Sequence, residues 1–240
     1  MPEFRVTDAL LTGRDESTLV MTDEGHRLQA QAAAAFKALQ SDAAAAGFEL
    51  AIASSYRSFE RQCLIWNGKA CGERTVHDDA GVTLILADML PEQQLQAILR
   101  FSALPGTSRH HWGTDIDIYD ASAMPPGYAL QLSPAEVAAG GMFDDLHCWL
   151  DQRMTAGESH DFYRPYVVDT GGVSPERWHL SYAPLASLCE PGPSAVALRS
   201  AWDNLDKSGQ GLALRDAVDA GLEALLERYV RVAPGWCPAT

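Results

Sequence analysis

The residues best suited to chemistry lie in two separated stretches, Pro105–Asp120 (PGTSRHHWGTDIDIYD) and Glu176-Arg177-Trp178-His179. His110, Asp117 and His179 offer two imidazoles and a carboxylate, a donor set that can hold one catalytic zinc ion and leave a coordination position open for water. The open position distinguishes a chemical metal site from a structural one. Glu176, three residues before His179, can reach that position without being a ligand and reads as a general base for the attacking water. Taken alone, His110 and Asp117 equally suit surface histidines beside a polar strand face. The downstream histidine is what makes them a set.

The elements that must position these groups follow from the apolar pattern. Thr114–Tyr119 alternates and predicts a strand with Asp115, Asp117 and Tyr119 on one face, entered from a turn at Gly113. Glu176–Tyr182 alternates too, predicting a second strand with His179 projecting to the side opposite Trp178, Leu180 and Tyr182. The alanine-rich Asp23–Gly47 predicts one long helix with an acidic start and a glycine stop. Phe48–Ala53 predicts a strand running into Ser54-Ser55-Tyr56-Arg57, with a helix from about Ser58. Arg57 thus falls at an element end, a frequent place for binding residues.

Asn67–Gly81 reads as a loop and Pro91–Arg100 as a helix with proline in its first turn. Ser133-Pro134-Ala135-Glu136 is a capped helix start, and Phe143–Met154 a helix packing Leu146, Trp149 and Leu150 inward. Ala195–Leu205 and Leu212–Val232 predict two final helices. The expected fold is α+β: a small, mainly antiparallel sheet carrying the zinc site, with the Asp117 and His179 strands adjacent and helices flanking it. Residues 1–190 would form the catalytic domain and 191–240 a helical extension packed on it.

Composition narrows the function. At 240 residues and 47% hydrophobic, the chain suits one domain with appendages and ample length for a core. A net charge of −14 argues against nucleic acid or an anionic membrane surface as the main partner. No apolar run is long enough to insert across a membrane. A basic pocket inside so acidic a chain would be informative, and Arg57 is the place to look for it. The start, MPEFRVTDALLTGRDESTLV, lacks the succession of a secretory signal, so a cytoplasmic location is expected, with a periplasmic chain whose signal has been removed as the alternative. Five cysteines without a CxxC pair suit a reducing compartment; Cys63 with Cys71 could close a small loop if the protein is exported. His77 with Asp78 and Asp79 can be drawn as a metal site but reads better as surface-loop chemistry, His147 and His160 read as structural or exposed groups, and Tyr166 reads as a core tyrosine ahead of a substrate contact.

Three blocks in order resemble one family. Pro105 to Asp117 resembles PG-x-S-x-H-x-x-G-x-A-x-D, Pro175 to His179 resembles E-x-W-H, and Ser55 to Gln62 resembles S-x-Y-R-(S/T)-x-x-x-Q, the motifs of the zinc D-alanyl-D-alanine carboxypeptidases of the VanY type, which include peptidoglycan L,D-carboxypeptidases. The resemblance spans roughly residues 25 to 185. It implies a zinc metallopeptidase in which His110, Asp117 and His179 hold the ion, Glu176 is the base, and Arg57, Gln62 and Ser108 face the substrate, Arg57 also stabilising the oxyanion. The implied substrate is a peptidoglycan stem peptide ending in D-alanine. A cytoplasmic location favours L,D-cleavage of a tetrapeptide over D,D-cleavage of a pentapeptide. A noncatalytic zinc-containing module that binds cell-wall peptides, or a peptidoglycan endopeptidase, are the alternatives. Two positions depart from the pattern: Asp115 stands where alanine is usual, and Ser181 where an aromatic residue or arginine commonly follows the histidine ligand.

Overall fold

A computed structural model describes residues 3–207 and 209–231. In chain order the elements are α1 (Asp8–Leu11), β1 (Leu19–Met21), β2 (Arg27–Gln29), α2 (Ala30–Ala45), β3 (Leu50–Ser54), α3 (Phe59–Ala70), β4 (Val76–His77), β5 (Thr83–Leu84), α4 (Pro91–Leu99) and β6 (Asp115–Asp120). They continue through α5 (Pro134–Val137), α6 (Asp144–Ala156), β7 (Phe162–Tyr163), β8 (His179–Tyr182), α7 (Ala183–Cys189), α8 (Ala195–Lys207) and α9 (Arg215–Tyr229). Val232, the last residue of the expected final helix, and Cys237 lie outside the described residues.

The central sheet has the order β3-β6-β8-β7, with every pairing antiparallel. Alternation along β6 divides its side chains. Ile116 and Ile118, with Leu180 from β8, enter an apolar cluster built with Phe36 and Leu39 of α2 and Leu146 and Leu150 of α6. Asp115 and Asp117 therefore face the other side. Asp117 lies opposite His179, and Asp115 opposite Ser181. Directly opposed positions share a face with their Cβ atoms about 5 Å apart, so register alone brings the carboxylate to the imidazole.

A second cluster joins α3 and α4 to α8 and α9 through Trp66, Ile98, Trp202 and Leu222, among others. Two indoles pin the C-terminal helices in place. Trp66 Nε1 donates to the Ala213 carbonyl at 2.9 Å, and Trp202 Nε1 to the Pro105 carbonyl at 3.0 Å, at the start of the histidine-bearing turn.

Three expected elements are corrected. The helix expected over 23–47 is a hairpin followed by a shorter helix: Val20 pairs with Leu28, Gly25 turns at φ 85°, and α2 begins at Ala30. Leu28 is fully buried and the Gln29 N–H donates to the Gly113 carbonyl at 2.8 Å, long-range gains that outweigh local helix propensity. The loop expected over 67–81 contains the end of α3 and the strand β4, which pairs with β5 just beyond it and buries Val76 in the second cluster. The strand expected from Glu176 starts at His179, leaving Glu176 in the turn before it, where the His179 N–H donates to the Glu176 carbonyl at 3.1 Å.

Cys63 and Cys71 are free thiols, one buried and one exposed. Eight residues along one helical path separate their Cα atoms by roughly 12 Å, too far for a disulfide. Among the described residues, no helix is long and apolar enough to cross a membrane.

Candidate metal centre and active site

His110 sits in a 3-10 turn, Arg109–Trp112, that Gly113 closes at φ 70°. A Cβ on Gly113 would lie 2.4 Å from Leu19 Cδ2, so the β1–β2 hairpin leaves room only for glycine there. His110 Nδ1 donates to the Asp115 carbonyl at 3.2 Å. A carbonyl can only accept, so the proton is on Nδ1 and the Nε2 lone pair is presented to Asp117 Oδ2, 3.2 Å away.

His179 is oriented the opposite way round. Its Nε2 meets Asp115 Oδ1 at 2.9 Å, which leaves Nδ1 facing Asp117 Oδ1 at 3.1 Å and Glu176 Oε2 at 3.7 Å. His110 Nε2, His179 Nδ1 and an Asp117 oxygen form a group within 4.8 Å of one another. Donors bound about 2.0–2.2 Å from one tetrahedral ion lie roughly 3.3–3.5 Å apart, so the spacing and the N, N, O chemistry fit zinc. No other such cluster occurs among the described residues. His77 is exposed on β4, Asp78 Oδ1 accepts from the backbone of Ala80 and Val82, and Asp79 pairs with Arg100. His160 pairs with Asp42, and His147 is on the buried face of α6.

Behind His179 lies a closed charge cluster. Asp115 is completely buried, and both its oxygens are filled: Oδ1 by Arg109 Nε at 2.8 Å and by His179, Oδ2 by Thr114 Oγ1 at 2.6 Å and Ser181 Oγ at 3.1 Å. Arg109 also donates to Glu190 and to the Tyr163 hydroxyl, both at 2.7 Å, and covers the Trp112 ring. Burial disfavours the Asp115 charge, but Arg109 and the hydrogen bonds hold its carboxyl well below the usual range. Burial likewise opposes the His179 imidazolium, yet hydrogen bonds with Asp115 and Asp117 raise the group to about 9 in the metal-free site. A carboxylate on the far nitrogen of a metal-facing histidine fixes its tautomer and ring orientation.

Glu176 lies on the cavity side. Burial pushes its carboxyl up to about 7, His179 opposing. Arg57 follows the end of β3; its backbone N–H donates to the His110 carbonyl at 3.1 Å, and its carbonyl accepts from His111 Nδ1 at 2.6 Å. Its guanidinium donates to Gln62 Oε1 at 2.9 Å and Ser54 Oγ at 3.2 Å. Arg57, Ser108, His110, Asp117, Glu176 and His179 all line one cavity of about 650 Å³. Gln62, expected beside the substrate, is not on that wall. It is fully buried, with its amide engaged by Arg57 and the Ala103 carbonyl, so it braces Arg57 from behind.

Sequence reasoning missed Arg109 and Lys69, and ranked Tyr166 as core although it lines the cavity, its ring meeting His179 edge-on at 5.1 Å. A signal for the first existed. The departures Asp115 and Ser181 lie two residues before one ligand and two after the other, so an antiparallel pairing of Asp117 with His179 must oppose them, and Arg109 bridges the two.

A family model described as VanY, D-alanyl-D-alanine carboxypeptidase, matches residues 25–185. A Haemophilus influenzae protein described as uncharacterized is 52% identical over 105 residues, covering 42% of this chain and 72% of its own. A second from the same organism, described the same way, is 34% identical over 129 residues, covering 53% and 92%. Among solved structures, VanYB in complex with D-Alanine-D-Alanine aligns with a TM-score of 0.50 at 21% identity over 84% of this chain and 87% of that one. The LdcB LD-carboxypeptidase aligns with a TM-score of 0.49 at 21% identity, over 84% and 78%.

Proposed function

Since this chain belongs to the VanY D-alanyl-D-alanine carboxypeptidase family, we propose that it is a zinc-dependent carboxypeptidase removing the C-terminal D-alanine of peptidoglycan stem peptides, with L,D-cleavage of a tetrapeptide ahead of D,D-cleavage of a pentapeptide. The observation that carries the reading is the convergence of His110, Asp117 and His179 with Glu176 Oε2 3.7 Å from the metal-facing nitrogen of His179, all on one cavity wall. A noncatalytic module has no use for a buried carboxylate poised there.

Bound by His110, Asp117 and His179, zinc would supply Lewis acidity to the attacking water and the scissile carbonyl. Glu176 takes the proton of that water at its carboxylate and passes it to the leaving amine. Its buried surroundings raise its proton affinity toward the range where both transfers are feasible at neutral pH. Arg57, braced by Gln62 and Ser54, presents a fixed positive charge to the oxyanion. Ser108 lines the same wall and can meet the substrate backbone.

The L,D preference follows from placing the enzyme in the cytoplasm, where recycled wall fragments would supply tetrapeptides. An odd count of five cysteines without a CxxC pair suits a reducing compartment and supports that placement. Mass-spectrometric digestion of purified tetrapeptide and pentapeptide stems with zinc supplied, beside the Glu176→Ala variant, tests the reading. Loss of one alanine from the tetrapeptide alone, absent in the variant, is expected. Loss from the pentapeptide alone would move the assignment to D,D-cleavage. No cleavage of either by the zinc-loaded protein would overturn the enzyme reading.

A further inference from the structure

The cavity that holds the catalytic groups also collects basic side chains, in a chain of net charge −14. Elsewhere arginines are mostly paired with acids, as in Arg100 with Asp79 and Asp169, Arg177 with Asp144 and Asp151, and Arg215 with Asp203, Asp206 and Asp219. Arg57, Lys69 and Arg74 on the cavity wall have no carboxylate within salt-bridge distance among the described residues. Arg57 is accounted for by the reaction centre. The other two are not.

Lys69 is half-buried near the C-terminal end of α3, and its ammonium donates to Ser102 Oγ at 2.5 Å. An ammonium has three donors, and one hydroxyl acceptor does not neutralise it. Burial, then repulsion from Arg57, lowers its pKa to about 8, the distant Glu176 opposing. Arg74 stands exposed at the cavity rim, its N–H bonded to the Gly68 carbonyl at 2.9 Å and its stem laid over Gly68, where a Cβ would lie 3.1 Å from Arg74 Cδ. The missing side chain at Gly68 thus lets Arg74 lie along α3 toward Lys69. Lys69 is seven residues beyond Gln62, the brace of Arg57, or roughly 10 Å along the helix. The two cations hold different partners, Ser102 for Lys69 and Gln62 with Ser54 for Arg57, so they present separate donors to the cavity.

We propose that Lys69 and Arg74 form a second cationic subsite of this cavity, which binds a substrate carboxylate separate from the carbonyl oxygen faced by Arg57. The inference rests on the carboxypeptidase reading for the identity of its ligand. A stem peptide has two carboxylates that could reach it: the C-terminus of the leaving alanine, and a side-chain carboxylate where the third residue is a diamino-dicarboxylic acid and not lysine. The ligand chemistry is shared, and the peptides separate the sources.

The test is calorimetric binding to zinc-loaded protein in a Glu176→Gln background, so that peptides are not consumed. The ligands are stem tetrapeptides with lysine or diaminopimelate at the third position, each with a free or amidated C-terminus. Adding Lys69→Gln or Arg74→Gln should weaken binding of the recognised peptide by about 10- to 100-fold, the range of one charge-assisted hydrogen bond, with Lys69→Arg restoring most of it. If amidation abolishes the dependence on Lys69, the ligand is the C-terminus; if exchanging diaminopimelate for lysine abolishes it, the ligand is the side chain. Unchanged affinity of every peptide for both variants overturns the subsite. Arg74 is exposed, so its substitution keeps the test valid should Lys69→Gln fold poorly. Failure of the wild type to cleave any stem peptide would instead strike the catalytic reading, because binding is measured without turnover.

Discussion

Arg109 and Lys69 are two cations that touch the same cavity as the metal-binding residues, and they are handled in opposite ways. Arg109 is buried with its guanidinium spent on Asp115, Glu190, Tyr163 and Ser181. Lys69 faces the cavity with the Ser102 hydroxyl as its hydrogen-bond partner. A charge sealed among its counter-charges serves the protein's own geometry, here the orientation of His179. One left with donors free toward a cavity serves something that enters it. The contrast separates residues that hold the site in shape from residues that read the substrate, although both kinds lie close to the same ligands.

The sharpest way to break the contrast is to open the closed side. Asp115→Ala leaves Arg109 buried with Glu190 as its remaining carboxylate and should cost about 3–5 kcal/mol, the usual penalty for removing one partner of a buried pair. Chemical denaturation of the zinc-free protein measures it. A loss under ~1 kcal/mol would show that the cluster is not sealed. On the open side, Arg57→Ala should lower turnover by ~10²–10³ while leaving stability and zinc content near wild type; near-normal turnover would remove Arg57 from the oxyanion. Between the two lies Asp115→Asn, which keeps the shape and loses the charge. It should weaken zinc binding by roughly 10- to 100-fold in a chelator competition, with the cobalt-substituted spectrum shifted. Unaltered affinity would mean that His179 needs no help from behind.

Much of the ligand set was legible because it depends on local alternation and short spacings. The β6 and β8 patterns predict strands, and strands that pair Asp117 with His179 place the donors without further information. The first hairpin was illegible because Arg27–Gln29 is a strand only by pairing with Leu19–Met21 and bonding to the Gly113 turn, contacts that no window of local propensity contains. The same holds for β4–β5, where one buried valine decides the structure. The resemblance puts Gln62 on the substrate side, but the helical phase of α3 turns it inward. Lys69 belongs to that helix too and carried no motif; its meaning depends on which acids are absent from its neighbourhood, which is a property of the folded cavity.

A smaller effect tests whether the closed cluster also governs acid sensitivity. Asp115 is held ionised well below the usual carboxylate range, so it should stay charged through mild acid. His147 behaves differently: burial, reinforced by Arg164 and Arg177, lowers it to about 3, against an ordinary value near 6.5. It is therefore neutral in the folded protein where the unfolded chain has already taken up a proton. The unfolded state binds more protons between those limits, so stability must fall as pH drops from about 6.5 toward 3, by up to ~1.4 kcal/mol per pH unit for each such group. His111, which burial also lowers to about 3, adds a second proton over the same range. His147→Gln should lower the slope by up to ~1.4 kcal/mol per pH unit in urea denaturation between about pH 6.5 and 5, whereas Asp115→Asn should leave that stretch unchanged and flatten the slope only below about pH 4.5, where the unfolded chain's aspartate takes up its proton. If Asp115→Asn leaves the slope below about pH 4.5 unchanged as well, the cluster behind His179 does not hold its carboxylate ionised, and the division between a sealed scaffold and an open reading face fails at its most buried residue.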